Sequence, residues 1–504
     1  MNTPVTAPAI TTLQNISHNI SRLLLIPAGM ALISLIVSAV ARDSSTALPF
    51  VLTSISALAL SGLLHVLGKP AKTSSQRQIL LSVGLGWGVI SLIGALPLWL
   101  TALLAGSQAN PTVANFTDFL TALFEGFSGF TSAGLTMVIR ESELPLGLQW
   151  WRSFMQWVGG VGVIVLAIAL LKPEMDQYVL YKAEGRQSRI RLTLTGTVRR
   201  IWAIYTGYTV FGLFLLRATG MTWWAALNHS MSAISTGGFS ITDGSMAPYS
   251  SAVKLAVMLL MILGAVSFSV HDKLISQRRI SALWQNRQHV FLFGLLAIGS
   301  LVVGLEHHRF IGRFAWVDSA FQWVSALTTC GFASDSIQVW SDRNKLLLSL
   351  AMVFGGAAGS TAGGLKLNRV LALIEAVAWR YRRTSMSSRQ IVMREIDGQQ
   401  FTPEQASRKV EDATALLLMW IMGIGTSVIL LIPLVSSEYT LSDIVFESAA
   451  ALGSAGLSVG ITSPYMAASA KALLMVLMWM GRLEIIPVVM LIYAPWRYLL
   501  RRGS

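Results

Sequence analysis

The stretch Phe124–Val138, FEGFSGFTSAGLTMV, decides how the chain is read. It is apolar, carries three glycines and contains TSAGL at 131–135, which recurs as STGGF at 235–239, TTCGF at 328–332 and GSAGL at 453–457. Superposed on the last glycine of each copy (Gly134, Gly238, Gly331, Gly456), the four share further features. Nine residues earlier stand Glu125, His229, Gln322 and Glu447, always polar. Thirteen residues earlier stand Asp318 and Asp443 in the last two copies, while the first has Thr121 there and Asp118 a turn before. About twenty-five residues later a second glycine interrupts an apolar run, at Gly160, Gly264, Gly356 and Gly481. Close helix packing explains small residues at any one of these stretches. It does not explain four aligned copies, which mark a fourfold internal repeat with a period of about a hundred residues.

Composition says where such a repeat lives. Of 504 residues 53% are hydrophobic and only 12% charged, against roughly 25% charged in soluble domains, and mean hydropathy is +0.60. Apolar runs long enough to cross a bilayer, about 20 residues, recur throughout. The single cysteine, Cys330, excludes an internal disulfide and any multi-cysteine metal site. No cleavable signal peptide is expected, because the first twenty residues are polar and the following run lacks a small-residue cleavage site. No glycine run is followed by Lys-Ser/Thr in a strand–turn–helix setting, so nucleotide hydrolysis is not expected, and the chain reads as a transporter, not an enzyme. His289, His307 and His308 lack ligand spacing, and Glu141 and Glu143 read as solvated loop acids.

The pattern predicts an all-α polytopic membrane protein: four pseudo-symmetric helix–pore-loop–helix repeats around one pore, preceded by a two-helix hairpin. The expected divisions are a hairpin at 1–77 (helices 22–41 and 48–68) and repeats at 78–180, 181–280, 281–390 and 391–504. First helices are expected at 79–104, 201–219, 289–306 and 413–435. Second helices are expected near 151–171, at 253–271, within the long run 346–379, and at 471–493. The short apolar segments between them (118–130, 223–240, 317–333, 443–459) cannot span, and read as re-entrant loops, which membranes tolerate only where protein or a water-filled cavity satisfies the backbone. That makes ten crossings and four re-entrant elements. Most of the 38 lysines and arginines fall on one side, in the loops holding Lys69, Lys72 and Arg77, in 172–200, 273–287 and 380–412, and in the tail Arg497, Arg501 and Arg502. The positive-inside rule makes that side, with both termini, cytoplasmic. The net charge of +14 is thereby a topology signal, and nucleic acid is not an expected partner.

Four extended segments around an axis offer backbone carbonyls in place of water around a dehydrated cation. Glycine suits the point of closest approach, having no side chain to narrow the path. Each short helix would aim the negative end of its dipole at that axis, and outer acids such as Asp243 and Asp335 would concentrate cations by their field. Five glycines within 355–364 cost a helix roughly 1 kcal/mol apiece. That segment, with Ser360 and Thr361, is therefore expected to unwind and line the cavity below the filter, placing Lys366 near the cytoplasmic mouth. Arg482, inside an apolar run, is a functional residue by default.

FTSAGLT, ISTGGFS, TTCGF and GSAGLS, together with FGGAAGSTAGGLK at 354–366 and GRLEI at 481–485, closely resemble the membrane subunit of bacterial Trk-type potassium uptake systems, in the superfamily that includes Ktr and plant HKT transporters. The resemblance covers essentially the whole chain. It implies potassium uptake across the inner (cytoplasmic) membrane, with potassium and rubidium carried and no bound cofactor. It implies a filter of Thr131, Ser132, Ala133, Gly134; Ser235, Thr236, Gly237, Gly238; Thr328, Thr329, Cys330, Gly331; and Gly453, Ser454, Ala455, Gly456. Some sodium-favouring members have serine in the first position, where this chain has Gly134. The resemblance further implies a mobile intramembrane gate (Gly355, Gly356, Gly359, Ser360, Thr361, Gly363, Gly364, Lys366), a homodimer, and a cytosolic nucleotide-binding regulatory subunit docked on the basic loops. Arg482 would face the pore as an electrostatic barrier; a salt bridge to Glu125 or Glu447 is the competing reading. Sodium/potassium or proton-coupled cation symport stays open as an alternative function, as do solute-coupled transport and a non-transporting scaffold.

Overall fold

The computed structural model describes residues 9–69, 75–162, 194–384 and 394–493. The expected boundaries near 180 and 390, most of the loop 172–200, Lys72 and the basic tail lie outside the described residues. Helices α1 (Ala9–Leu23), α2 (Leu25–Val40) and α3 (Ala47–Leu67) form the leading hairpin. Its first arm starts well before residue 22. The polar residues of α1 are inward-facing, with Asn15 and Asn19 buried and Asn19 donating to Ser82 Oγ at 3.1 Å. Hydropathy alone hid this, since the helix is amphipathic and not uniformly apolar.

Each repeat then supplies three helices. The first helices are α4 (Gln76–Ala105), α7 (Leu194–Ala218), α11 (Arg287–Ile311) and α15 (Pro403–Leu431). The short helices are α5 (Phe119–Thr131), α8 (Trp223–Ile234), α12 (Trp316–Leu327) and α16 (Leu441–Gly453). The second helices are α6 (Leu146–Val161), α9 (Ser251–Ala265), α13 (Asp342–Phe354) and α17 (Ala468–Arg482). Side-chain caps set where most of them begin: Asp118 accepts from Leu120 N–H, Thr222 from Ala225 N–H, and capping boxes close Thr440/Asp443, Ser75/Gln78 and Thr402/Gln405.

Six helices among the described residues are long and apolar enough to cross a membrane: Thr12–Val40, Ala47–Leu67, Arg77–Gln108, Thr195–Ala218, Arg287–Ile311 and Pro403–Leu434. The second helices account for the difference from ten. Only the third was expected to break, yet all four stop early. α9 gives way to α10 (Phe268–Gln277) through a 102° bend, α13 ends in the 355–366 loop, and α17 ends at Arg482, where Glu484 and Ile485 take positive φ. α6 ends at Val161, ahead of residues outside the described set. Beyond α13, α14 (Leu367–Thr384) leads towards a hairpin of β1 (Arg394–Ile396) and β2 (Gln399–Phe401), turned by Asp397-Gly398 with both φ positive. The segment 380–412, expected as a plain charged loop, is therefore partly ordered.

The helices close into a ring. Each short helix packs on both helices of its own repeat where these are described. It also packs on the second helix of the preceding repeat: α8 on α6, α12 on α9, α16 on α13 and α5 on α17. The last of these joins the fourth repeat to the first.

Candidate ion pathway

All four short helices end in the same way. Ser132, Thr236, Thr329 and Ser454 sit in the left-handed region (φ 54°, 51°, 53° and 50°). In each copy the N–H of that residue returns to the carbonyl three back, and the next N–H to the carbonyl five back from itself: Gly129 and Ser128, Ala233 and Ser232, Ala326 and Ser325, Ala451 and Ala450. This is a Schellman ending with a serine or threonine where glycine is usual, at a backbone cost of about 1–2 kcal/mol per site. Gly134, Gly238, Gly331 and Gly456 follow two residues later, again with positive φ (83°, 80°, 96° and 69°).

These glycines meet each other's strands in a closed cycle. A β-carbon added at Gly134 would collide with the carbonyl oxygen of Gly237, one at Gly238 with that of Cys330, one at Gly331 with that of Ala455, and one at Gly456 with that of Ala133. The four oxygens belong to the four residues immediately before the aligned glycines. Glycine is required here by space and by conformation together. Thr131, Ser235, Thr328 and Gly453 end or cap the helices just behind this ring. Cys330 contributes backbone only; its thiol is buried, 3.9 Å from the carbonyl oxygen of Ser232.

The second glycine also has a physical reason. A β-carbon at Gly264 or Gly481 would strike the carbonyl of Ile234 or Leu452, four residues before the ring glycine; in the first repeat Gly159 does this against Phe130 while the expected Gly160 meets Ser235, and in the third Gly356 meets Ala362 instead. The second helix thus crosses the end of the short helix at backbone distance.

The polar residue nine positions before each ring glycine holds the strand that leaves it. Glu125 accepts from Met137 N–H (2.8 Å) and Thr136 Oγ1 (3.0 Å), and His229 Nε2 lies 3.0 Å from Ser240 Oγ. Gln322 Nε2 donates to Asp335 O at 3.0 Å, and Glu447 accepts from Ser458, Val459 N–H and Thr462 N–H. Glu125 is also the partner of Arg152 Nε at 2.7 Å, with both side chains buried. Arg152 further donates to Ser240 O (2.9 Å) and Thr136 Oγ1 (3.0 Å), tying the first strand to the second. Sequence reasoning missed Arg152; its signal was a lone arginine in the apolar run 146–171.

A second cycle lies outside the first. The fourth residue of each second helix reaches the start of the next short helix. Lys254 Nζ meets Asp318 at 2.7 Å, and Lys345 Nζ meets Asp443 at 2.7 Å. Lys471 Nζ meets Thr121 Oγ1 at 2.8 Å and Asp118 at 3.5 Å. The remaining joint is neutral, with Trp224 Nε1 donating to Gln149 Oε1 at 2.9 Å. These contacts explain the acids near position minus thirteen, and why the second repeat can lack one.

Beneath the ring, residues 355–366 are non-helical, as expected, and are bound up into it. Thr361 Oγ1 sits between the carbonyls of Ile234 (3.0 Å) and Gly264 (2.9 Å), and Gly363 N–H donates to Thr329 Oγ1 at 2.6 Å. Gly363 leaves no room for a β-carbon against Gly453 O, nor Gly355 against Gly363 O. Gly356 O accepts from Leu367 N–H, Gly359 O from Phe268 N–H, and Ser360 Oγ donates to Ala357 O. The space left is a cavity of about 30 Å³ lined by Gly160, Ser360, Gly364, Lys366, Ser454 and Arg482, among others. The Lys366 ammonium folds back onto Ala362 O and lines this cavity.

Arg482 lies at the end of α17 beside the same cavity, donating to the carbonyls of Gly159 and Gly160, with its guanidinium 5.3 Å from the Trp87 ring. The alternative of a salt bridge to Glu125 is corrected, because Arg152 holds that carboxylate. Glu484 borders the same cavity and forms a bidentate pair with Arg369 (3.0 and 2.6 Å).

Beyond the first two filter strands, Asp243 accepts from Ser142 N–H (2.9 Å) and Oγ (2.6 Å), joining the first two repeats. Burial would raise its pKa, but the bonds from Ser142 and the charge of Arg140 outweigh it and hold the carboxyl below its ordinary value. Glu141 is not a plain solvated acid: it is half-buried, and burial lifts it to about 7 against the pull of Arg152. Asp335 holds Ser336 N–H and the Trp340 indole.

The chain is similar to proteins described as cation transporters. The family model described as "TrkH: Cation transport protein" matches residues 49–495. The chain is 30% identical over 409 residues to an uncharacterised cation transporter of Methanocaldococcus jannaschii, covering 81% of this chain and 80% of that one. It is 31% identical over 434 residues to the Trk system potassium uptake protein TrkH of Halomonas elongata, covering 83% and 85%. The crystal structure of the potassium transporter TrkH from Vibrio parahaemolyticus superposes with a TM-score of 0.80 at 27% identity, over 95% of this chain and 98% of that one. The chain belongs to the TrkH family of cation transport proteins.

Proposed function

We propose that this chain takes up potassium across the cytoplasmic membrane of a bacterium, through a filter made by the backbone of Thr131–Gly134, Ser235–Gly238, Thr328–Gly331 and Gly453–Gly456. The observation that carries the reading is the closed cycle in which each ring glycine abuts the carbonyl preceding the next one. Four carbonyls converging without side chains are what a dehydrated monovalent cation needs. The relatives' description as potassium uptake proteins agrees with it. The driving force is the membrane potential, about 2.3 kcal/mol per elementary charge per 100 mV.

The loop 355–364 is the gate. It occupies the space directly under the filter, and the cationic groups of Lys366 and Arg482 beside the remaining cavity oppose a passing cation. In this reading both termini are cytoplasmic, the protein works as a homodimer, and a cytosolic nucleotide-binding subunit moves the gate. A route for that movement is present. Gln288 Oε1 accepts from Ala358 N–H in the loop, while Gln288 N–H donates to Asp397 of the β-hairpin.

The test is rubidium uptake in cells lacking their own potassium uptake systems, with the regulatory subunit supplied and Gly456→Asp as control. Uptake inhibited by potassium, spared by sodium and lost in the variant is expected. Equal inhibition by both ions would keep the pore and remove its selectivity. Normal uptake by Gly456→Asp would end the filter assignment.

A further inference from the structure

The four ring carbonyls are not equivalent. That of Gly237 accepts a hydrogen bond from Gln156 Nε2 at 2.5 Å, while Gln156 Oε1 accepts from Phe239 N–H at 2.9 Å. One fully buried amide thus brackets Gly238 on both sides. Its two partners, an acceptor and a donor, leave only one way round for the amide group. Among the described residues no such bond reaches the carbonyls of Ala133, Cys330 or Ala455. Gln156 is the eleventh residue of α6. The eleventh residues of α9, α13 and α17 are Met261, Met352 and Met478, all buried. Methionine satisfies that position in three repeats, so packing alone does not call for the glutamine.

We propose that Gln156 is a specificity-determining residue of the filter; this deepens the function proposed above and rests on it. A sodium ion is smaller than potassium or rubidium, and a carbonyl ring grips it only by closing inward. The Gly237 carbonyl is tethered outward to a helix behind the strand, and the Phe239 N–H on the far side of Gly238 is held by the same amide. The second repeat therefore resists contraction, and sodium pays the cost of keeping its distance. Potassium and rubidium fit without moving the tether.

The experiment uses the full chain, assayed by rubidium uptake with sodium or potassium as competitor. Gln156→Met supplies the side chain of the other three repeats and removes both bonds. Sodium should then compete about tenfold better relative to potassium, equivalent to about 1.4 kcal/mol, with rubidium transport retained. Gln156→Glu keeps the acceptor for Phe239 but, once ionised, faces the Gly237 carbonyl with no donor. Its discrimination should fall at alkaline pH and return on acidification, as the protonated carboxyl donates again. A packing role predicts a silent methionine and no pH dependence, and an unchanged sodium-to-potassium ratio in Gln156→Met overturns the proposal.

If the methionine variant does not transport, thermal unfolding of the purified protein in potassium or sodium decides. Potassium should protect the wild type more than sodium and should lose that advantage in the variant. A variant that keeps the advantage sinks the idea. The two readings fail separately. Gly456→Asp that still transports removes the filter itself, whereas loss in Gly456→Asp beside an unchanged Gln156→Met removes only the tether.

Discussion

The second helix of the first repeat and those of the other three do the same job with opposite chemistry. At helix positions four, seven and eleven, α6 presents Gln149, Arg152 and Gln156; the others present Lys254/Val257/Met261, Lys345/Leu348/Met352 and Lys471/Leu474/Met478. Three repeats therefore put one charge at the rim and fill the space behind the filter with apolar side chains. The first puts a neutral amide at the rim and buries its charge one turn deeper, against Glu125. Two of the rim pairs keep some contact with water through Asp318 and Asp118, whereas Lys345 and Asp443 are both buried. Charge behind the filter has no contact with water, and must be paired and hydrogen-bonded completely. Pseudo-symmetry is thus kept in the backbone and abandoned in the polar interior, so one side of the pore is the more rigidly specified.

The comparison can be broken most severely at Arg152. Arg152→Leu copies the seventh position of α13 and α17 but strands the Glu125 carboxylate, at a cost of about 3–5 kcal/mol. The expected result is loss of folded protein in detergent extracts; adding Glu125→Gln should recover much of it. A single variant as stable as wild type would mean the pair is incidental.

A milder break is expected at the rim. Lys254→Met removes one charged hydrogen bond, a loss of about 2 kcal/mol, whereas Trp224→Phe, which removes the single indole bond of the neutral joint, should cost about 1 kcal/mol. Thermal unfolding of the two variants side by side measures the difference. The reverse order would show that the ionic joints do not outweigh the neutral one.

A last test concerns Glu141, on the loop just before α6, and is read as a pH dependence. In the unfolded chain it titrates near 4.5, and in the folded protein at about 7. Between those values the native state holds a proton that the unfolded state has lost. Its contribution to stability is therefore fully present below about 4.5 and disappears as pH rises through 7. Tm should fall across that window, and Glu141→Gln should flatten the slope. An unchanged slope in the variant would assign the titration to another group.

Much of this was visible in the residues alone. The alignment on Gly134, Gly238, Gly331 and Gly456 located the ring, because only glycine tolerates that spacing and φ, so the need is written directly in the sequence. The unwound segment at 355–364 was visible for the same reason. The ends of α9 and α17 were not. Val266-Ser267 and Leu483-Glu484 each lie just after a single glycine, Gly264 or Gly481, which close packing against the short helix already explains, and hydropathy does not register backbone direction. Nor did the partners of Arg152 and Lys366 show, since a charge in an apolar run announces that it has a partner and not which one. The lysines at 254, 345 and 471 were legible in principle, as one cation at a nearly constant distance after three of the four ring glycines.

The contact between Lys471 and Asp118 joins residues 353 positions apart, and no earlier repeat can substitute for it. A chain emerging in order inserts its first pore helix long before the lysine that anchors it exists. Until then Asp118 faces lipid or a provisional neighbour, and the carbonyl ring is an open arc with the Ala133 position unmatched. The pore is therefore a property of the finished chain, and a truncation anywhere before α17 leaves no partial channel, only an unsealed bundle for the cell's proteases. Such long-range closure is slow and exposed to misassembly.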